Sequence, residues 1–272
     1  MLAYIYITND PVVAQIAETA GVSEIFVDLE KIGKEDRQRG MNTVKSDHSI
    51  ADVIAVRSAL KKARLLVRVN SIHENSEEEI RAVINAGADI LMLPYFKTVE
   101  EVETFLTFCG GSVQTRLLVE TAEAAEKLEE ILSLPGVDSA YIGLNDLHLS
   151  LHKKFMFELL TDGTADRICK ILQAHNLPFG IGGVASLGKG TLPAEYILAE
   201  HYRLGSSMVI LSRSFCNLAE HTDPAEIREI FTNGVHDLHA YEQKLAAESE
   251  QFFIQSHQTT AQIIKQITEE IV

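Results

Sequence analysis

The chain has 272 residues, 46% of them hydrophobic, with 24 Lys and Arg against 39 Asp and Glu, a formal charge of −15. That length and apolar share suit one large domain with a substantial core. The acidity argues against nucleic acid or an anionic membrane as partner, since both need a basic surface. A small anionic substrate would need a local positive site, a metal ion with an arginine, to overcome the surrounding field. Cys109, Cys169 and Cys216 are scattered, fit no metal spacing and cannot all pair, which points to a reduced, cytoplasmic setting. Met1-Leu2-Ala3-Tyr4-Ile5 lacks the basic region of a signal peptide, and no apolar stretch approaches membrane-spanning length.

Apolar, β-rich runs alternate with helical periods, the pattern of βαβ units. The first strand is expected over 3–8, and Asp10-Pro11 then supplies an N-cap and a first helical proline for a helix ending at Gly21. Strand two covers 24–28; a polar loop follows, then a helix over 49–62. Strand three, 64–69, carries a charge near its end at Arg68, and a helix over 76–86 stops at Gly87 before strand four, 89–93. Helix 98–108, with Thr98 as cap, precedes strand five, which ends at Glu120. Thr121 opens a helix to about 134, and Pro135-Gly136 turns into strand six, 139–143. An insertion over 147–160 and a helix over 165–175 lead to strand seven, 178–181; a helix over 191–203 leads to strand eight, 207–211. Eight alternations predict a single α/β domain over 1–272, a TIM-type (β/α)8 barrel with extra C-terminal helices. That extension spans 223–272: Asp223-Pro224 starts a helix to about 250, and a segment over 252–272 lines Phe253, Ile263, Ile264, Ile267 and Ile271 on one face. A barrel needs one closing helix, so this surplus apolar face packs on the same barrel or on a second subunit, with a homo-oligomer as the expected assembly.

In a parallel barrel every strand's C-terminal end opens on one face, where chemistry is done. Glu120 closes the run Arg116-Leu117-Leu118-Val119, and Asp146 closes Tyr141-Ile142-Gly143-Leu144-Asn145 one unit later. Two carboxylates so placed can hold a hard divalent cation such as Mg²⁺, or each can simply cap the next helix. Gly143 permits close backbone approach, and the amides of Leu144, Asn145 and Asp146 can seat a substrate carboxylate. Arg68 ends an apolar strand, where a charge needs an anion; it neutralises a developing enolate or alkoxide oxygen, or pairs with Glu30 or another barrel carboxylate and only orders the site. Asp28 and Glu30 share one side of an extended chain, with Glu30 placed to accept hydrogen bonds from water around the metal and Lys31 to add charge. Asp47-His48 sits in the long polar loop over the same face, making His48 a candidate acid–base group, with His148 and His152 as rivals and His73 and His175 as surface residues. Gly182-Gly183-Val184-Ala185-Ser186 is either pocket lining or a flexible turn.

Several of these segments form a familiar series: Val27-Asp28-Leu29-Glu30, Val67-Arg68-Val69-Asn70, Gly87-Ala88-Asp89 with Met92-Leu93-Pro94, Val119-Glu120-Thr121-Ala122, Gly136-Val137-Asp138 and Ile142-Gly143-Leu144-Asn145-Asp146-Leu147. In order and spacing, over roughly 24–215, the chain resembles the HpcH/HpaI aldolase/citrate lyase β-chain family. The resemblance implies a phosphoenolpyruvate/pyruvate-type barrel that acts beside a pyruvate or acyl-CoA enolate. It implies Mg²⁺ or Mn²⁺ on Glu120 and Asp146, Arg68 at the enolate oxygen and the Leu144–Asp146 amides at the carboxylate. Aldolases of free 2-oxo acids in that family carry a histidine directly after the strand-two acid, and citrate-lyase-like members an aspartate; here that residue is Lys31. His48 or a metal-bound water would then supply the base, and Arg37 or Arg39 would grip an anionic group. The expected activity is a metal-dependent aldolase on a 2-oxo acid. A citrate-lyase-like acyl-CoA lyase or thioesterase and a non-catalytic ligand-binding barrel are the alternatives.

Overall fold

The structure, a computed structural model, describes residues 1–33 and 47–271. Eight parallel strands close a barrel in chain order: β1 (Ala3–Ile7), β2 (Glu24–Asp28), β3 (Arg64–Arg68), β4 (Ile90–Leu93), β5 (Gln114–Val119), β6 (Ser139–Ile142), β7 (Phe179–Val184) and β8 (Met208–Leu211). Outside them lie α1 (Pro11–Ala20), α2 (Ile50–Ala59), α3 (Ser76–Asn85), α4 (Val99–Cys109), α5 (Ala122–Glu126), α6 (Leu128–Ile131), α7 (Leu144–Ser150), α8 (Thr164–Ala174) and α9 (Ala194–Leu204). The C-terminal extension is α10 (Pro224–Leu245) and α11 (Glu250–Glu270). The chain's three cysteines are free and buried, and among the described residues no helix is long and apolar enough to cross a membrane.

The helices start where short polar side chains can take up orphan amides. Asp10 accepts from Val12 and Val13 with Pro11 behind it, and Asp223 does the same for Ala225 ahead of α10. Ser49 with Asp52 and Thr98 with Glu101 form capping boxes. Three expectations shift, the first at strand seven, expected over 178–181, which runs on to Val184. The helix predicted over 121–134 is broken at Lys127 into α5 and α6. The insertion predicted over 147–160 begins earlier, as α7 from Leu144, followed by a 3-10 turn at Met156–Leu160.

Alternate residues of a strand share a face, which builds charged and apolar layers inside the barrel. Along β2, Glu24, Phe26 and Asp28 form one inward column; along β5 and just past it, Arg116, Leu118 and Glu120 form another. Phe26, Leu66, Met92, Leu118 and Tyr141 belong to the apolar plug at mid-height. Beneath it Arg116 donates to both Glu24 oxygens, at 2.6 and 3.1 Å, and to Ser139 Oγ at 3.1 Å. Removing one partner of such a buried pair costs about 3–5 kcal/mol, so this lower layer is a structural lock.

The first extra helix, α10, runs along α1, and α11 lies on α9 and the 3-10 turn. Glu242 of α10 is fully buried and accepts from the Leu2 amide (2.6 Å), the Tyr202 hydroxyl (3.0 Å) and the Tyr4 hydroxyl. The α11 face of Phe253, Ile263, Ile264, Ile267 and Ile271 packs against the chain's own core, so the same-barrel alternative describes the packing within one chain.

Candidate active site

The C-terminal ends of the strands enclose a cavity of about 520 Å³ whose walls include Asp28, His48, Arg68, Glu120, Gly143 and Asp146. The register places Asp28 beside Arg68 on adjacent strands, and the guanidinium donates from Nε and Nη2 to both Asp28 oxygens, at 2.9 and 2.8 Å. Glu30 Oε2 lies 3.4 Å from Arg68 Nη2, and the Glu30 amide donates to Asp28 Oδ1 at 3.2 Å. Burial alone would lower the Arg68 pKa, but Asp28 and Glu30, with Glu120 beyond, reverse this and hold it above its ordinary value. The guanidinium also rests 5.5 Å above the centre of the Phe26 ring. Arg68 is thus fixed in place, charged, at the cavity wall. Glu30 stands behind it and is not among the cavity-lining residues, so its contact is with Arg68.

Glu120 follows β5 and is 2% exposed. Its Oε1 accepts the Tyr95 amide at 2.9 Å. Tyr95 itself has φ 49°, a left-handed conformation costing a non-glycine residue roughly 1–2 kcal/mol; sequence reasoning missed it, although Pro94 marks the turn. A side chain at Gly143 would place its Cβ 2.9 Å from both Cβ and Oε2 of Glu120. Glycine is therefore what lets the β6–α7 turn cradle that carboxylate. Asp146 does not close β6: the strand ends at Ile142, and Asp146 sits in the first turn of α7, half-buried at the cavity wall. The expected match between the two strand ends fails because Gly143 starts a helix at once, yet both carboxylates still reach one cavity. Leu144 and Asn145 line it too.

His48 is 9% exposed, and its Nδ1 accepts the Asp28 amide at 3.0 Å. A backbone amide can only donate, so a neutral His48 carries its proton on Nε2. That narrows the expected acid–base role to hydrogen-bond donation. Lys31, at the position of the resembled family's base, pairs with Asp47 at 2.7 Å on the exposed side, and its amide donates to Asn70 Oδ1. The rivals are elsewhere: His148 Nδ1 lies 3.2 Å from the Leu144 carbonyl, and His152 is exposed. His73 and His175 pair with Glu79 and Glu129. Gly182 and Gly183 do line the cavity. Tyr141 joins the same wall by donating to the Gly182 carbonyl (2.6 Å) and accepting the Ile210 amide (2.8 Å). Arg37 and Arg39 lie outside the described residues.

No curated protein sequence matches the chain. Solved structures share its fold. An HpcH/HpaI aldolase from Desulfitobacterium hafniense DCB-2 aligns at TM-score 0.60 and 13% identity, over 78% of this chain and 86% of that one. An HpcH/HpaI aldolase/citrate lyase family protein from Burkholderia cenocepacia J2315 aligns at TM-score 0.63 and 17% identity, over 84% and 95%. The citrate synthase SbnG aligns at TM-score 0.60 and 15% identity, over 84% and 93%. At such identities the likeness establishes the barrel alone. Family membership rests on the sequence model for HpcH/HpaI aldolase/citrate lyase, which matches residues 4–176, more than half the chain. The chain belongs to the HpcH/HpaI aldolase/citrate lyase family, and its function is of the aldolase and lyase type.

Proposed function

We propose that the chain makes and breaks a carbon–carbon bond beside a free 2-oxo acid, through a pyruvate-like enolate, with Mg²⁺ or Mn²⁺ held by Glu120 and Asp146. The observation that carries this reading is the convergence of Arg68, Glu120, Asp146 and the Gly143-Leu144-Asn145 turn on one cavity. Hard carboxylate oxygens suit such a cation, and the Gly143 cradle keeps Glu120 in place. Among the described residues no group of three or more His, Cys, Asp and Glu is placed to hold a metal. Substrate and water oxygens would complete its shell, as Mg²⁺ commonly requires. When bound, the ion polarises the 2-oxo carbonyl and stabilises the negative charge that builds on its oxygen.

The chain's own groups do the rest. Arg68, immobilised by Asp28 and Glu30, supplies a preorganised positive charge and N–H donors to that same oxygen. The amides of Leu144 and Asn145 precede the first intrahelical bond of α7, Leu147 to Gly143, and donate to the substrate carboxylate. His48 donates through Nε2 to the hydroxyl or aldehyde oxygen, while the proton itself passes to water in the cavity, because Nδ1 is taken by the Asp28 amide.

The test is Glu120→Gln and Asp146→Asn. Each is expected to abolish metal-dependent release of pyruvate from 4-hydroxy-2-oxo acids, and metal-dependent exchange of pyruvate C3 protons in D2O, with an unchanged circular dichroism spectrum. Wild-type turnover in either variant refutes the metal pair. Cleavage of an acyl-CoA ester but of no free 2-oxo acid by the unaltered protein moves the reading to CoA substrates. Metal binding with neither activity marks a ligand-binding barrel.

A further inference from the structure

The charged groups of the cavity occupy one arc of the barrel. Asp28, Arg68, Glu120 and Asp146 come from the ends of β2, β3 and β5 and from the turn after β6. The remaining arc, β8 and β1 with the segments after them, presents Ile7, Ile210, Leu218 and Ala219, and the 3-10 turn adds Met156. Ile7, Ile210, Met156 and Leu218 are neither fully buried nor fully exposed. Thr8, Ser212 and Cys216 line this arc too, and several of its polar side chains are engaged by neighbours. Asn217 Nδ2 donates to Glu220 at 2.7 Å and its Oδ1 accepts the Ala219 amide at 3.2 Å. Asn9 hydrogen-bonds to Asp52, and Arg213, exposed at the rim, has an interaction of its own.

The volume exceeds what a three-carbon acid needs: about 520 Å³ falls in the range that takes drug-sized ligands. With the carboxylate and keto group drawn to the charged arc, the second reactant lies toward the apolar one. We infer that the acceptor is an aldehyde with an apolar alkyl or aryl chain, which Ile210, Met156 and Leu218 cover. This rests on the proposed lyase reading and names its substrate class. In the addition direction C3 of the 2-oxo acid loses a proton and bonds to the aldehyde carbon. The carbonyl π pair moves to the aldehyde oxygen, which takes a proton, so nothing is oxidised or reduced. The product is a 4-hydroxy-2-oxo acid with an apolar tail.

The experiment measures kcat/KM for addition of pyruvate to acetaldehyde, butanal and hexanal, with glyceraldehyde and succinic semialdehyde as polar and acidic counterparts. Pyruvate C3 proton exchange in D2O is followed in the same samples. Burial of each added methylene is expected to raise kcat/KM about fourfold, with hexanal ahead of both polar aldehydes, and Leu218→Asn is expected to flatten that slope. Met156→Gln serves the same purpose should Leu218→Asn fail to fold, and the series on the unaltered protein needs neither variant. Proton exchange with a flat chain-length series, or with succinic semialdehyde or glyceraldehyde preferred, overturns the apolar acceptor and leaves the lyase reading standing. Absence of exchange overturns both.

Discussion

Arg68 allows stability and chemistry to be separated. Its guanidinium meets both oxygens of Asp28 at 2.9 and 2.8 Å and lies 3.4 Å from Glu30, and each of those acids is 2% exposed. Arg68→Met removes the facing charge and leaves both carboxylates buried. Breaking one such pair costs about 3–5 kcal/mol; backbone donors, such as the Glu30 amide on Asp28, place the expectation near the lower end, ~3 kcal/mol. At roughly 2–4 °C per kcal/mol for a large domain, Tm at neutral pH should fall by about 6–12 °C. Arg68→Lys keeps the charge but loses the two-pronged fit. It should cost less in Tm yet lower kcat by about 10²–10³, the scale of losing one aimed donor. Scanning calorimetry at neutral pH, with kcat for pyruvate release from a 4-hydroxy-2-oxo acid, gives both readouts. A wild-type Tm for Arg68→Met or full activity in Arg68→Lys would each refute the reasoning.

Gly143→Ala sets a Cβ 2.9 Å from Glu120 Oε2; the expected result is at least tenfold weaker Mg²⁺ or Mn²⁺ binding by titration calorimetry, and unaltered affinity would count against the cradle. Glu242→Leu leaves the Leu2 amide and the Tyr4 and Tyr202 hydroxyls without their shared acceptor, at about 1–3 kcal/mol for each buried group left unpaired. Its urea midpoint should drop sharply and amide exchange along α10 should speed up, with Glu242→Gln milder; equal midpoints for Glu242→Leu and wild type would show the buried carboxylate to be dispensable. His201 is 2% exposed beside Ser206 Oγ, and burial pushes its pKa down from 6.5 to about 3. The folded state then binds fewer protons than the unfolded chain, so this contribution is complete above pH 6.5 and is lost as the pH falls toward 3. Wild-type stability should decline below that pH by up to about 1.4 kcal/mol per pH unit more than His201→Gln does; parallel curves for the two proteins would exclude the buried ring as a source.

Much of this architecture was legible because its determinants are local. Asp10-Pro11, Thr98 and Asp223 start helices in the structure as their sequence contexts required, while Ser49, expected as the first helical residue, is the cap instead. The alternative reading of Arg68, pairing with Glu30 or another barrel carboxylate, is present, with Asp28 as the main partner. What stayed hidden depends on distance in the chain. The pairing of Tyr4 with Glu242 bridges 238 positions, and no local pattern announces it. Asp146 was misplaced because the apolar run Tyr141-Ile142-Gly143-Leu144 reads as continuous strand, whereas the chain leaves the sheet at Ile142 and helix begins at Leu144.

The charged ends of the inward columns show where sequence pattern needs topology. Glu24 and Asp28 bracket Phe26, and Arg116 and Glu120 bracket Leu118, so alternation alone offers two ionic layers of equal standing. Parallel closure breaks the tie: one layer must lie at the strands' N-terminal ends and the other at the mouth. Below, Glu24 is held by Arg116 and also by Arg64, so its carboxylate is fully answered by arginine. Above, among the described residues, Arg68 faces Asp28 and Glu120 at an open cavity, with Glu30 behind it. An open cavity walled by carboxylates is where the proposed divalent cation would bind, which favours the upper layer although the lower has the same residue types.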